Sequence, residues 1–114
     1  MILRNSRTGA ALAVRVERAS TVLGRTRGLL GRSGLPQGEA LLLEPCASIH
    51  TLFMRFPIDA VFLSRELLVV RAISALRPWR ATRFHRGAAM AVELPEGTLA
   101  RTGTREGDLL ELEV

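Results

Sequence analysis

The chain has 114 residues, of which 47% are hydrophobic and 24% are charged, a composition typical of ordinary soluble domains rather than of disordered or membrane-spanning chains. All 16 basic residues are arginine, which excludes mechanisms that need a P-loop lysine, a Schiff-base lysine or a lysine general base. The formal net charge is +5, and the positive excess lies in the first half, since residues 1–57 hold 8 Arg against 3 Glu.

The length predicts one domain over residues 1–114 with a single core. No apolar run approaches the ~20 residues that cross a bilayer. The apolar segment near the N-terminus is interrupted by Arg15 before a signal-type core is complete. The lone cysteine cannot form an internal disulfide, which is consistent with a reducing compartment. We therefore predict a cytoplasmic protein without a membrane span.

The first half of the chain begins with a strand pattern. Residues 12–16 alternate between apolar and more polar positions, as expected of a strand with one wet face. Ser20 or Thr21 can cap a short helix that runs to about Leu30, although three glycines weaken it. Residues 40–43 are fully apolar and predict a short buried strand after the loop at 36–38.

The second half continues with short β elements. Residues 58–63 are apolar on both faces and predict a central strand, and residues 67–73 predict its hairpin partner. Further strands are expected at 88–94 and 110–114, with a helical turn over 97–102. The elements predict a mainly β fold, a compact antiparallel-rich β-sandwich or barrel-like domain with one or two short helices.

The most informative segment is residues 46–63, where a cysteine, a histidine, an arginine and an aspartate interrupt an apolar run. Burying such polar groups costs free energy unless each finds a partner, so they need a local explanation. Our leading interpretation is a small non-catalytic binding or accessory module with a polar pocket beside residues 46–59. The candidate ligand-binding residues are Cys46, Ser48, His50, Met54, Arg55, Asp59 and Trp79.

An enzyme is the alternative interpretation, a thiol-dependent or metal-assisted hydrolase that uses Cys46, His50 and Asp59 as nucleophile, base and orienting carboxylate, or as metal ligands. A thiol and an imidazole four residues apart are ~13 Å apart on a strand but only about 6 Å apart on a helical turn. The nucleophile therefore requires a turn after Pro45. His85 is a remote fourth ligand for a metal, but no C-x-x-C or H-E-x-x-H motif is present, and we predict no cofactor.

Structural roles compete with the binding roles. Asp59 can accept backbone N–H bonds at the strand entrance, and Arg55 can extend to solvent. Trp79 with Arg77 and Arg80 can clamp an anionic partner or simply lie in a surface loop. The basic segment interleaves few aromatic residues, so the sequence does not favour nucleic acid. The partner class that it favours is a small anionic ligand or a protein.

The run Cys46-Ala-Ser-Ile-His-Thr-Leu-Phe-Met-Arg-Phe-Pro-Ile-Asp-Ala-Val-Phe-Leu63 closely resembles the signature of a prokaryotic family called domain of unknown function 192, or uncharacterised protein family 0127. Residues 27–32, 92–97 and 107–108 resemble further elements of that family. The resemblance implies a small β-rich domain with minor helices and no established activity. Relatives are often exported, and many lack a cysteine and a histidine at the positions of Cys46 and His50, which argues against a shared thiol mechanism.

Overall fold

A computed structural model of the protein describes residues 1–21, 29 and 31–114. The described residues form two β-sheets and one short helix, which confirms the mainly β, antiparallel-rich prediction; the sheets do not close into a barrel. The elements are β1 (Ile2–Asn5), β2 (Ala11–Ala13), β3 (Arg15–Ala19), β4 (Glu39–Leu43), β5 (Ile58–Leu63), β6 (Val69–Leu76), β7 (Met90–Pro95), α1 (Thr98–Thr102) and β8 (Leu110–Glu113). No helix among these residues is long and apolar enough to cross a membrane.

The larger sheet has the strand order β3-β4-β7-β5-β6, and the smaller sheet has the order β2-β1-β8. Strands β3 and β4 are parallel, and the other pairs are antiparallel. Strand β5 lies between β6 and β7 and pairs with β7 from Ile58 opposite Pro95 to Leu63 opposite Met90. Its six residues are all buried, which agrees with the prediction of a central strand covered on both sides.

Two hydrophobic clusters explain why β5 is apolar on both faces. Side chains of successive strand residues point to opposite faces, so Val61 and Leu63 join one cluster, and Ile58, Ala60 and Phe62 join the other. The first cluster also contains Leu3, Leu12 and Leu110 of the smaller sheet. The second is covered by Ile49 and Met54 of the loop before β5 and by Leu29. Full burial of a side chain such as Phe62 contributes about 1.5–3 kcal/mol.

Several local predictions are confirmed. Strands β5 and β6 form the expected hairpin. The helical turn α1 ends at Gly103, whose φ of 66° lies in the left-handed region that favours glycine. The predicted strand over residues 12–16 is instead divided at Val14, because β2 pairs with β1 in one sheet and β3 pairs with β4 in the other. The helix expected between Ser20 and Leu30 lies mainly outside the described residues.

Strand β1 was not predicted, because its four residues include Arg4 and Asn5 and show no clear apolar alternation. Asn5 is nevertheless buried, since its amide donates to Thr104 Oγ1 at 3.1 Å and to Asp108 Oδ2 at 2.9 Å. Arg7 completes this group with a 2.7 Å bond from its Nε to Asp108 Oδ1 and holds the pKa of that carboxyl well below its usual range. The turn at Gly107 and Asp108 therefore has a structural role.

Candidate functional site

All the candidate residues except Asp59 lie on two loops that run side by side. The first loop, residues 44–57, joins β4 to β5, and the second loop, residues 77–89, joins β6 to β7. Backbone hydrogen bonds of 2.7–3.1 Å connect five residue pairs of the two loops, which are Thr51–Trp79, Thr51–Arg80, Ile49–Thr82, Ala47–His85 and Cys46–Ala89. The arginine-rich second loop is therefore the direct neighbour of the signature segment, although the two are 30 residues or so apart in sequence.

Thr51 is the main connection between the loops and is fully buried. Its hydroxyl donates to the carbonyl of Arg77 at 2.5 Å and accepts from the backbone N–H of Arg80 at 2.9 Å. Its own carbonyl accepts from the N–H groups of Trp79 at 2.9 Å and Met54 at 3.1 Å. One side chain and one peptide unit thus fix the turn that presents Trp79.

Phe53 and Trp79 form an aromatic pair on the outside of these loops. Their ring centroids are 4.6 Å apart with an interplanar angle of 60°. Both residues have positive φ angles, 65° for Phe53 and 64° for Trp79. This left-handed conformation costs a bulky residue of the order of 1–3 kcal/mol and persists only where surrounding bonds hold it. The bonds of Thr51 supply that support.

Cys46 is half-buried beside a hollow of about 990 Å³. Its thiol lies 3.0 Å from the backbone carbonyl of Ser48, to which it can donate a hydrogen bond. The other residues of this hollow, called the cysteine hollow below, are Glu44, Pro45, Ala47, Ser64, Arg65, Glu66, Phe84, Gly87, Ala88 and Ala89. The Ser48 side chain is exposed.

Two further predicted residues, His50 and Arg55, are exposed on the first loop. The Nδ1 atom of His50 accepts a hydrogen bond from the backbone N–H of Leu52 at 3.3 Å. Met54 is buried in the second hydrophobic cluster. Neither His50, Arg55 nor Met54 lines the cysteine hollow, so the side chains of the signature point in several directions.

Asp59 is almost fully buried in β5, and each carboxylate oxygen accepts a backbone hydrogen bond. Oδ1 accepts from Ala75 at 2.9 Å, and Oδ2 accepts from Leu99 at 2.9 Å. Ala75 lies where the register of β5 and β6 shifts, and a bulge there leaves one N–H without a strand partner. Leu99 lies in the first turn of α1, whose N–H groups have no partner within the helix. Asp59 therefore joins three elements.

These positions bear on the enzyme alternative. A nucleophile or a metal site needs Cys46, His50 and Asp59 close together with available lone pairs, but both oxygens of Asp59 already have donors. Across residues 1–21, 29 and 31–114, no three or more His, Cys, Asp or Glu side chains come together as a possible metal site.

A second hollow, of about 560 Å³, was missed at the level of sequence. It is called the arginine hollow here and is lined by Arg71, Ile73, Leu76, Ala81, Thr82, Arg83 and His85. It lies between β6 and the second loop, and residue spacing cannot predict that these two elements are neighbours. The only signal was the density of arginines between residues 77 and 86.

His85 is the distinctive residue of the arginine hollow. Its ring lies against Phe62 with a centroid distance of 4.3 Å, and its Nε2 atom is buried without a hydrogen-bond partner among the described residues. Burial lowers the pKa of this imidazole, and the charges of Arg71 and Arg83 lower it further. His85 is therefore biased toward the neutral form, first by its burial and then by two cations that line the same hollow.

Glu93 is a second buried group that the sequence analysis did not single out. It lies in the middle of β7, is 3% exposed, and its Oε2 atom has no hydrogen-bond partner among the described residues. Burial raises the pKa of Glu93 to about 7, and the charge of Arg32 partly opposes that rise. The available signal was one acidic residue inside the apolar run 88–94.

Solved structures with this fold are known. A crystal structure of a protein of unknown function from Novosphingobium aromaticivorans DSM 12444 superposes with a TM-score of 0.83 at 21% identity and covers 97% of this chain and 82% of its own. A second, described as a candidate transcription regulator from Sinorhizobium meliloti 1021, has a TM-score of 0.81 at 23% identity and covers 96% of this chain and 89% of its own. At these identities the similarity shows the fold alone.

Sequence comparison identifies the family. A UPF0127 protein of Pyrococcus furiosus is 33% identical over 112 residues, which are 94% of each chain. A UPF0127 protein of Thermococcus sibiricus is 32% identical over 117 residues, covering 99% of this chain and 75% of the relative. The DUF192 family model, described as "Uncharacterized ACR", matches residues 3–112. The chain therefore belongs to the uncharacterised DUF192 family, whose curated members are named UPF0127 proteins.

Proposed function

We propose that this protein is a non-catalytic binding module that takes a small anionic ligand in the arginine hollow. The observation that carries the proposal is that two guanidinium groups, a threonine hydroxyl and an imidazole line the same hollow together with apolar Ile73 and Leu76. Guanidinium groups bind carboxylates and phosphates through paired N–H donors. The volume of about 560 Å³ is within the ~300–1,000 Å³ of typical ligand pockets.

The electrostatics of the hollow support an anion. Arg71 and Arg83 are both near enough to lower the pKa of His85, so a negative ligand between them would offset the positive charge that disfavours the protonated imidazole. Arg83 forms no salt bridge among the described residues. Arg71 pairs with Glu106 at 3.1 Å, but both side chains are about half exposed. Such pairs contribute only about 0–1 kcal/mol, so the guanidinium of Arg71 can change partners at little cost.

In this proposal the first loop, residues 44–57, holds the second loop in position at the arginine hollow. The first loop bonds to the backbone of Thr82 and His85, and Thr82 Oγ1 also accepts the N–H of Ile49 at 3.0 Å. Ser48, His50, Arg55 and Trp79, which are exposed on the two loops, are the side chains that a larger ligand would reach. In this arrangement Met54 and Asp59 act by holding the loop and strand in position, and Cys46 borders the separate cysteine hollow.

A non-catalytic role is supported by the state of the would-be catalytic groups. The carboxylate of Asp59 accepts two backbone N–H bonds, and His50 accepts one from the loop itself. The lone cysteine fits a reducing compartment, so we place the protein in the cytoplasm, where organic phosphates and carboxylates are available as ligands.

The test is a titration of the protein with inorganic phosphate and with phenyl phosphate, followed by NMR of the His85 imidazole. Binding should raise the pKa of His85, because an anion favours the protonated ring, and affinity should therefore increase as pH falls. Arg83→Gln should abolish the effect, whereas Arg86→Gln, an equal charge change at an exposed position outside the hollow lining, should retain it. Unchanged His85 resonances, or equal loss in both variants, would contradict the proposal.

A further inference from the structure

The Phe53–Trp79 pair belongs to an exposed apolar surface, and neither residue lines the arginine hollow. Leu52, Phe53 and Trp79 are 39%, 67% and 56% exposed. We call these three residues the aromatic patch. The whole chain has only four Phe and one Trp, so leaving two of the five rings side by side in solvent is a considerable cost in hydrophobic burial. Contiguous exposed apolar residues of this kind mark interaction surfaces.

The patch is held rigidly. Both aromatic residues have left-handed backbone conformations, and the hydrogen bonds of Thr51 fix the segments that carry them. Two strained residues that direct their side chains outward are typical of a preorganised contact surface rather than of accidental exposure.

The charge around the patch is of one sign. Arg55 follows Phe53 by two residues, and Arg77 and Arg80 flank Trp79. All three are exposed and form no salt bridge among the described residues. Residues 45–58 and residues 67–92 contain no Asp or Glu, and the second loop carries two further arginines. The natural partner of such a surface is polyanionic and has an apolar interior.

We propose that the aromatic patch attaches the protein peripherally to an anionic lipid bilayer. Leu52, Phe53 and Trp79 would enter the boundary between headgroups and acyl chains, where tryptophan is favoured, and the neighbouring arginines would contact lipid phosphates. The lipid surface is a better match than single-stranded nucleic acid for two reasons. Leu52 is aliphatic and cannot stack on a base, and the two rings contact each other at a 60° angle, so they do not present parallel faces to successive bases.

This attachment does not depend on a ligand in the arginine hollow. Binding at the hollow is read at His85, whereas attachment is read at Trp79, and the two residues can be followed separately. Failure of either proposal therefore leaves the other standing.

The chain offers a direct probe, since Trp79 is its only tryptophan. The full-length protein is mixed with vesicles of phosphatidylcholine alone or with added phosphatidylglycerol. With the anionic vesicles we expect a blue shift of Trp79 emission, protection from iodide, and quenching by brominated acyl chains. The shift should weaken as salt is raised, because the arginine contribution is screened.

Matched variants assign the effect to the patch. Replacing Arg77 and Arg80 together by Gln should weaken binding roughly 30-fold at low salt, and Phe53→Ser should weaken it about tenfold. The controls are Arg18→Gln with Arg105→Gln, two exposed arginines outside both loops, and Phe84→Ser, an exposed phenylalanine at the cysteine hollow. They should change binding by less than about threefold, since net charge alone acts weakly at a distance. Thermal unfolding confirms that each variant is folded.

Four results would overturn the proposal. They are unshifted Trp79 emission with anionic vesicles at low salt, an equal shift with phosphatidylcholine alone, equal losses in the control and patch variants, and quenching of Trp79 by a single-stranded oligonucleotide in the absence of any vesicle effect.

Discussion

Glu93 makes the stability of this protein depend on pH in an unusual direction. Burial raises the pKa of its carboxyl from 4.5 to about 7, so between these values the folded state holds a proton that the unfolded state releases. The stabilisation is fully present below about pH 4.5 and is lost as the pH rises through about 7. A rise in the pKa from 4.5 to about 7 corresponds to a loss of about 3 kcal/mol in the free energy of unfolding.

The perturbation that tests this is Glu93→Gln, which keeps the shape of the side chain but cannot ionise. The variant should be close to the wild type in stability near pH 4.5 and about 3 kcal/mol more stable near pH 8. The assay is urea denaturation at a series of pH values, analysed with a common slope so that only the midpoint reports stability. Arg32→Gln should increase the wild-type effect, because the charge of Arg32 opposes the rise in the Glu93 pKa.

Other titrating groups cannot imitate this result. The pKa of His85 is lowered in the folded state, so protonation of this imidazole disfavours folding. Its contribution to the free energy of unfolding is therefore present above the ordinary histidine range and is lost as the pH falls. The lowered pKa of Asp108 acts in the same direction, below the ordinary aspartate range. Both groups are present in the variant, so they cancel in its difference from the wild type. Parallel pH curves for the two proteins would refute the assignment to Glu93.

Three further predictions concern the loops and the strand beneath them. Asp59→Asn should destabilise the fold by about 2–3 kcal/mol in denaturation experiments, because the amide oxygen can accept only one of the two buried N–H bonds. The control is Glu96→Gln at an exposed position, which should change stability by less than about 0.5 kcal/mol. Thr51→Val should cost about 1–3 kcal/mol and increase the iodide quenching of Trp79, and unaltered quenching would count against its role in fixing the turn. Cys46 should react with iodoacetamide no faster than a small-molecule thiol at pH 7, and a clearly faster rate would revive the thiol-enzyme alternative.

Local sequence patterns were sufficient for much of the larger sheet. Strand β5 was predicted because all of its residues except Asp59 are apolar, and its hairpin with β6 follows from a short turn between two such runs. Strand β1 escaped because the reason for its buried Asn5 is a bond to a residue 103 positions away. Aspartate and arginine partners that are so far apart in the sequence give no signal in a local residue pattern.

The candidate site was also only partly predictable from the local sequence. That Asp59 accepts backbone N–H bonds was one of the two sequence interpretations, but its donors, at Ala75 and Leu99, belong to elements that only the folded chain brings to β5. The arginine hollow likewise combines Arg71 of β6 with Arg83 and His85 of the second loop. Sheet topology brings these residues together, so the sequence indicated that the site is positively charged but did not indicate where it lies.

Positive φ angles occur at structural positions of the sheet as well as on the candidate loops. At Ala75 in β6 this conformation is accompanied by the bond from its N–H to Asp59, and Leu67 in the turn before β6 packs against the first hydrophobic cluster. At Phe53 and Trp79 the same conformation costs of the order of 1–3 kcal/mol each. The rings gain no burial in return, because both stay more than half exposed. In the isolated molecule this backbone strain is not offset by burial of the rings, so we infer that the stabilising contacts of Phe53 and Trp79 form only when a partner is bound.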